Sequence, residues 1–152
     1  MDLNKRLEEL KIELPAPPPK GGIYAPVKQV GNTLYVSGQG PTINGVPQIT
    51  GQAGAERTVE EAQEAAKMCI YNMLSTLQAY VGDLNKIKGA VKLLAFVASA
   101  PGFNDQPKVI NAGSQILVDV FGEEGYAARS AIGTNELPGG ITVEIEGMFE
   151  LK

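Results

Sequence analysis

The chain closes on a pattern of period two. Ile141, Val143, Ile145, Phe149 and Leu151 share one parity, and Thr142, Glu144, Glu146 and Glu150 share the other. Successive side chains of a β-strand point to opposite faces, so this run predicts a strand with one face in a core and one face bearing carboxylates. A sheet that is apolar on one side needs helices to cover it, and the chain supplies two. Thr58 and Glu61 carry the spacing of a capping box, and Gly82 stands ready as a C-terminal stop. Between them Val59, Ala62, Ala66, Cys69, Ile70, Met73, Leu77 and Tyr80 recur at three- and four-residue steps as one apolar stripe. A second helix is expected after Pro107, with Val109, Gly113, Ile116, Leu117, Val120 and Phe121 inward and Gly122 at its end.

The remaining strands follow from turn chemistry and composition. Gly31-Asn32 separates two alternating runs between Val27 and Gln39, which predicts a hairpin. In its second strand Leu34 and Val36 share one face, and Thr33, Tyr35 and Ser37 the other. Ala90 to Ala98 is nearly all apolar, as expected of a covered central strand, and Val46 to Thr50 suggests a further short one. At the start, Leu3, Leu7, Leu10 and Ile12 lie among charges as in a short amphipathic helix, before Pro15, Pro17, Pro18 and Pro19 impose an extended arm. That leading segment either packs on the domain or a neighbour, or is a frayed terminus. The order β-β-α-β-α-β-β predicts an α+β fold with a mixed six-stranded sheet and both helices on one face. The opposite face would present Thr33, Tyr35, Ser37, Glu144, Glu146 and Met148, a mixture that suits contact with another subunit. A homo-oligomer is expected.

Composition removes most catalytic options. The chain has 152 residues, enough for one domain, with no histidine, no tryptophan and one cysteine. A Ser-His-Asp or Cys-His arrangement is therefore impossible, a zinc site has too few ligands, and the glycines match neither a dinucleotide nor a P-loop fingerprint. No metal and no cofactor is expected. Net charge is −4, which counts against nucleic acid. Cys69 reads as a packing residue and has no disulfide partner. The charged N-terminus lacks a signal-peptide core and no apolar run is long enough to span a bilayer, so a cytoplasmic protein is expected.

With Tyr24, the Gly31-Asn32 hairpin, Ser37-Gly38-Gln39, Asn111, Ala128-Arg129-Ser130 and Val143-Glu144-Ile145-Glu146 in that order, the chain resembles the Rid family. These are the reactive-intermediate (enamine/imine) deaminases, also called YjgF-like or endoribonuclease L-PSP-like proteins. The resemblance covers about residues 22–152, leaving residues 1–21 as an N-terminal helix and proline-rich arm. It implies a chorismate-mutase-like fold and a homotrimer whose sheets form a central barrel, with active sites in clefts between subunits. It further implies that Arg129 binds a substrate carboxylate and that Glu144 positions the attacking water. Tyr24, Ser37, Gly38 and Asn111 would line the ligand site, Ser37 with its hydroxyl and Gly38 with its backbone amide. The implied reaction converts 2-imino acids, or their enamine tautomers, to 2-oxo acids and ammonia.

Three departures stand out. Where the archetypal branch has cysteine after the Arg-Ser pair this chain has Ala131, residues 104–110 look like an insertion beside the pocket, and the N-terminal segment is extra. Alternatives therefore stand beside each role. Arg129 is either a carboxylate clamp or half of a structural ion pair, and Glu144 is either the base or one of several solvated carboxylates. Tyr24 and Ser37 would serve equally as interface donors. Asn111 would instead support the insertion loop or cap the helix. At the level of function the alternatives are a non-catalytic small-carboxylate-binding trimer and an endoribonuclease. The deaminase reading requires Arg129 and Glu144, from neighbouring strands, to converge on a crevice between protomers.

Overall fold

The structure is a computed structural model that describes residues 1–152. Helix α1 spans Leu3–Glu9. Strands β1 (Val27–Val30) and β2 (Thr33–Gln39) form the hairpin, and Thr42–Ile43 (β3) and Val46–Pro47 (β4) form a small ribbon. Helix α2 (Val59–Val81), strand β5 (Ile87–Ala98), helix α3 (Gln106–Phe121), strand β6 (Ala128–Thr134) and strand β7 (Val143–Leu151) complete the chain.

The predicted sheet needs correction: it has five strands, in the order β1-β2-β7-β5-β6, and the ribbon stands apart from it. The Val46–Thr50 run contributes only Val46–Pro47, which pairs back onto Thr42–Ile43. Pro47 has no N–H to give to a sheet ladder, so the run cannot serve as an interior strand. All neighbours are antiparallel except β5 and β6, whose parallel pairing is bridged by α3. The last strand in sequence thus lies at the middle of the sheet, and the one before it lies at the edge.

Local signals set the element ends. At Thr58 both arms of the capping box form, the Glu61 N–H donating to the threonine hydroxyl at 3.1 Å and the Thr58 N–H donating to the Glu61 carboxylate at 3.2 Å. Gly31 turns the hairpin at φ +58°, a conformation that costs a residue with a Cβ. Helix α3 begins at Gln106 rather than after Pro107. The proline occupies its first turn, where a missing N–H leaves no bond unmade.

Helices α2 and α3 cover the face made by Leu34, Val36, Leu93, Ala95, Ile145 and Phe149, all buried. They approach closely because Gly113 has no side chain: a Cβ there would meet Ile70 at 3.0 Å and the Ala66 carbonyl at 3.2 Å. Cys69 is fully buried among these residues, and burial pushes its thiol pKa well up, which suits a packing role. The residues expected as an insertion beside the pocket are partly structural: 106–110 are the opening turns of α3, with Val109 and Ile110 in the core. Thr142 departs from its predicted outward parity. It precedes β7 and is fully buried, its hydroxyl donating to the Gly51 carbonyl at 2.8 Å and its N–H to that of Ile49, so the clamp by residues 49–51 overrides the alternation.

The leading segment is docked rather than frayed. Leu3 and Leu7 are buried in the common core, and the Arg6 Nε–H donates to the Asp119 carbonyl on α3 at 2.7 Å. Beyond α1, Leu10, Ile12 and Leu14 pack against the same core, and the Ser75 hydroxyl of α2 donates to the Pro15 carbonyl. No helix is long and apolar enough to cross a membrane.

Candidate functional site

Strand pairing decides where the charged residues go. On β7, Val143, Ile145 and Phe149 face the helices, so Glu144 and Glu146 face the open side, in rows with Phe96 and Leu94 of β5. On β6, Arg129 is paired with Leu93, a core residue, and therefore sits on the helix side at the sheet's edge. Arg129 and Glu144 are not on neighbouring strands, because β5 runs between β6 and β7. Their backbones are two strand spacings apart, roughly 10 Å, and three residues out of register, again roughly 10 Å. Within one protomer the two groups open on opposite faces.

The Glu144 side is built around β2. Gly38 and its neighbours form a bulge between Val36, opposite Gly147, and Gln39, opposite Ile145. The Glu144 carboxylate occupies the space a side chain at position 38 would take: a Cβ there would lie 3.0 Å from its Cδ and 3.1 Å from Oε2. Glu144 is half-buried and forms no ion pair. Burial raises its pKa from the ordinary glutamate value, and the nearby Glu146 charge adds to the rise. A carboxylate whose proton is held more tightly than usual is better able to accept one from water.

Tyr24 and Gly38 line one cleft, walled by Pro18, Pro19, Lys20 and Gly21 of the arm and by Thr42 and Gly45 of the ribbon. The Gly21 N–H donates to the Tyr24 hydroxyl oxygen at 3.1 Å. The Ser37 hydroxyl donates to the Ala25 carbonyl at 2.6 Å, and its N–H donates to that of Pro26, so Ser37 holds the segment that carries Tyr24. Asn72, buried on α2, secures the far wall through its side-chain amide, which donates to the carbonyls of Gly40 and Thr42 at 3.0 and 2.9 Å. Sequence inspection missed Asn72. Its signal was an amide set among the apolar positions of a covered helix.

The Arg129 side is built on α3. Arg129 Nη1 donates to Asn111 Oδ1 at 2.9 Å and to Ser114 Oγ at 3.1 Å. The structure brings Asn111 and Arg129 together and adds Ser114, which sequence inspection did not single out, although three residues on a helix share a face. The alternative of a structural ion pair is not realised, since Arg129 has no carboxylate partner. Its Nε–H and both Nη2–H groups lack an internal acceptor, which leaves an edge able to hold a carboxylate through two parallel bonds. A separate cleft around Arg129 is completed by Gln115, Val118, Gly125, Tyr126 and Ala127.

The family model described as "YjgF/chorismate mutase-like, putative endoribonuclease" matches residues 4–141, from α1 to the approach to β7. The chain belongs to the YjgF, or Rid, family. Protein TCP17 of Trypanosoma cruzi is 42% identical over 146 residues, covering 95% of this chain and 91% of that protein. A relative from Dermatophagoides farinae named 2-iminobutanoate/2-iminopropanoate deaminase is 32% identical over 142 residues, covering 93% and 95%. The solved structure of protein Atu1372 from Agrobacterium tumefaciens superposes with a TM-score of 0.90 at 41% identity, covering 99% of this chain and 92% of that one. In this YjgF-family chain Ala131, where the archetypal branch has cysteine, faces the helices and packs against the core.

Proposed function

We propose that the protein is an imine/enamine deaminase that hydrolyses small 2-imino acids to 2-oxo acids and ammonia, in active sites formed between the subunits of a homotrimer. The observation that carries this reading is the complementarity of two incomplete half-sites. One holds an unpaired, partly desolvated carboxylate, Glu144, over Gly38. The other holds an unpaired guanidinium, Arg129, oriented by Asn111 and Ser114. Neither can serve the other inside one chain, whereas a neighbour's Arg129 edge docked on the Glu144 face completes both. The exposed Tyr35, Val91 and Ile132 belong to strands of the sheet and suit such burial. The name of the mite relative supports the same reaction.

The chemistry follows from the groups. Arg129 binds the substrate carboxylate through its free edge and so fixes the imine carbon. Glu144 takes a proton from water as the oxygen adds to that carbon, and the proton then serves the departing nitrogen. The tetrahedral carbinolamine collapses to a carbonyl and ammonia. Free imines hydrolyse readily in water, so orientation plus one acid-base group is sufficient catalysis, with general acid-base help typically ~10²–10⁴-fold.

Complementation tests the arrangement. Arg129→Ala and Glu144→Gln are each expected to lose activity on imines generated in situ by an amino-acid oxidase. Dissociated and reassembled together, they should recover about one quarter of wild-type activity, the chance that an interface pairs an intact arginine with an intact glutamate. Zero recovery from correctly assembled mixtures would remove the inter-subunit site. A wild-type trimer that binds 2-oxobutanoate without accelerating imine loss would leave a carboxylate-binding protein instead of an enzyme.

A further inference from the structure

The N-terminal arm walls the cleft of Tyr24 and Gly38, the glycine against which the Glu144 carboxylate lies, and it brings a cation with it. Prolines 15, 17, 18 and 19 restrict its backbone. Both ends of the run are fixed, one by the Ser75 hydroxyl on the Pro15 carbonyl, the other by the Pro19 ring, which stands 3.1 Å from where a Cβ on Gly45 would lie. The next residue, Lys20, lines the same cleft as Tyr24 and Gly38. Lys20 is exposed and, like most of the chain's lysines, has no carboxylate partner; what sets it apart is its place in this cleft. The Tyr24 hydroxyl beside it accepts from Gly21 and keeps its own O–H to donate.

We propose that Lys20 is a specificity-determining residue that selects substrates with a second anionic group at the end of the side chain, namely 2-imino dicarboxylic acids. This rests on the deaminase reading above. In a completed cleft Arg129 of one subunit takes the carboxylate next to the imine. Lys20 and the Tyr24 hydroxyl of the other approach from the opposite wall and meet the distal carboxylate. A substrate with an apolar side chain leaves Lys20 unpaired and gains nothing from it. The reaction class that supplies such substrates is the two-electron oxidation of acidic 2-amino acids, whose first product is the imine.

The test compares full-length wild type with Lys20→Met and Lys20→Arg by two measurements. Calorimetry with 2-oxoglutarate and with 2-oxobutanoate reads binding. The kcat/KM for imines made in situ from glutamate and from 2-aminobutanoate reads turnover. Wild type is expected to favour the dicarboxylic ligand, Lys20→Met to lose on the order of tenfold of that preference, and Lys20→Arg to retain most of it. Equal affinities in wild type, or a ratio unmoved in Lys20→Met, overturns the proposal. A Lys20-dependent preference for 2-oxoglutarate without turnover supports it while sinking the enzymatic assignment. Turnover of 2-iminobutanoate with no such preference does the reverse, and failure to bind either acid overturns both.

Discussion

The two half-sites differ in how they are held. Glu144 stands on a central strand, flanked on both sides by backbone ladders, and its carboxylate touches no hydrogen-bonding partner. Arg129 stands on an edge strand, yet its guanidinium is tied to Asn111 and Ser114. One group has a rigid base and a free tip; the other has an exposed base and a secured tip. A proton-transfer group needs a perturbed pKa and freedom to meet water. A binding group needs a fixed direction. The difference in support suits the division of labour proposed for Glu144 and Arg129.

The largest expected effect separates binding from chemistry. Under the proposed mechanism Arg129→Ala removes both bonds to the substrate carboxylate and should lower kcat/KM by about 10³-fold while the oligomeric mass is kept. If the variant turns over at the wild-type rate, the clamp is elsewhere. Glu144→Gln should lower kcat by about 10²-fold and leave the affinity for 2-oxobutanoate intact. Lost affinity with unchanged kcat would exchange the two roles. Asn111→Ala tests the secured tip: one solvent-exposed bond from Nη1 to a neutral acceptor is worth about 1 kcal/mol, so KM should rise about fivefold with kcat little changed. A fall in kcat alone would show that Asn111 does more than aim the guanidinium.

The smallest effect concerns pH and stability. Burial and Glu146 raise the folded-state pKa of Glu144, so the folded chain binds this proton more tightly than the unfolded chain. The associated stability is fully present below the unfolded carboxylate pKa and is lost as pH rises through the folded value. At neutral pH Glu144→Gln should therefore melt slightly higher than wild type, and the gap should close on acidification to about pH 4, near the ordinary glutamate value. A gap that widens in acid would mean the carboxylate is stabilised rather than strained by its surroundings.

Much of this was legible in the sequence. The capping box at Thr58, the Gly31-Asn32 hairpin and the inward residues of α3 all stand where local patterns put them. Local patterns also misled at identifiable places. Thr142 has the parity of a solvent-facing residue, but a contact ninety-one positions away in sequence buries it. The Val46–Thr50 run has strand composition, but Pro47 and the ribbon turn withdraw it from the sheet. Asn72 and Ser114 lacked any signal beyond being polar on helices, since their partners lie on distant segments.

What the sequence by itself determined is which segments are helix and strand, which face of each is apolar, and which few side chains are available for chemistry. These depend on residues within a turn or two of one another. What only the tertiary structure decided is the order of the strands. By inserting β5 between β6 and β7 and setting β6 parallel to it, the fold sends Arg129 and Glu144 to opposite sides of one sheet. Strand order is chosen by side-chain packing and hydrogen bonds between segments far apart in the chain, and no local periodicity encodes it.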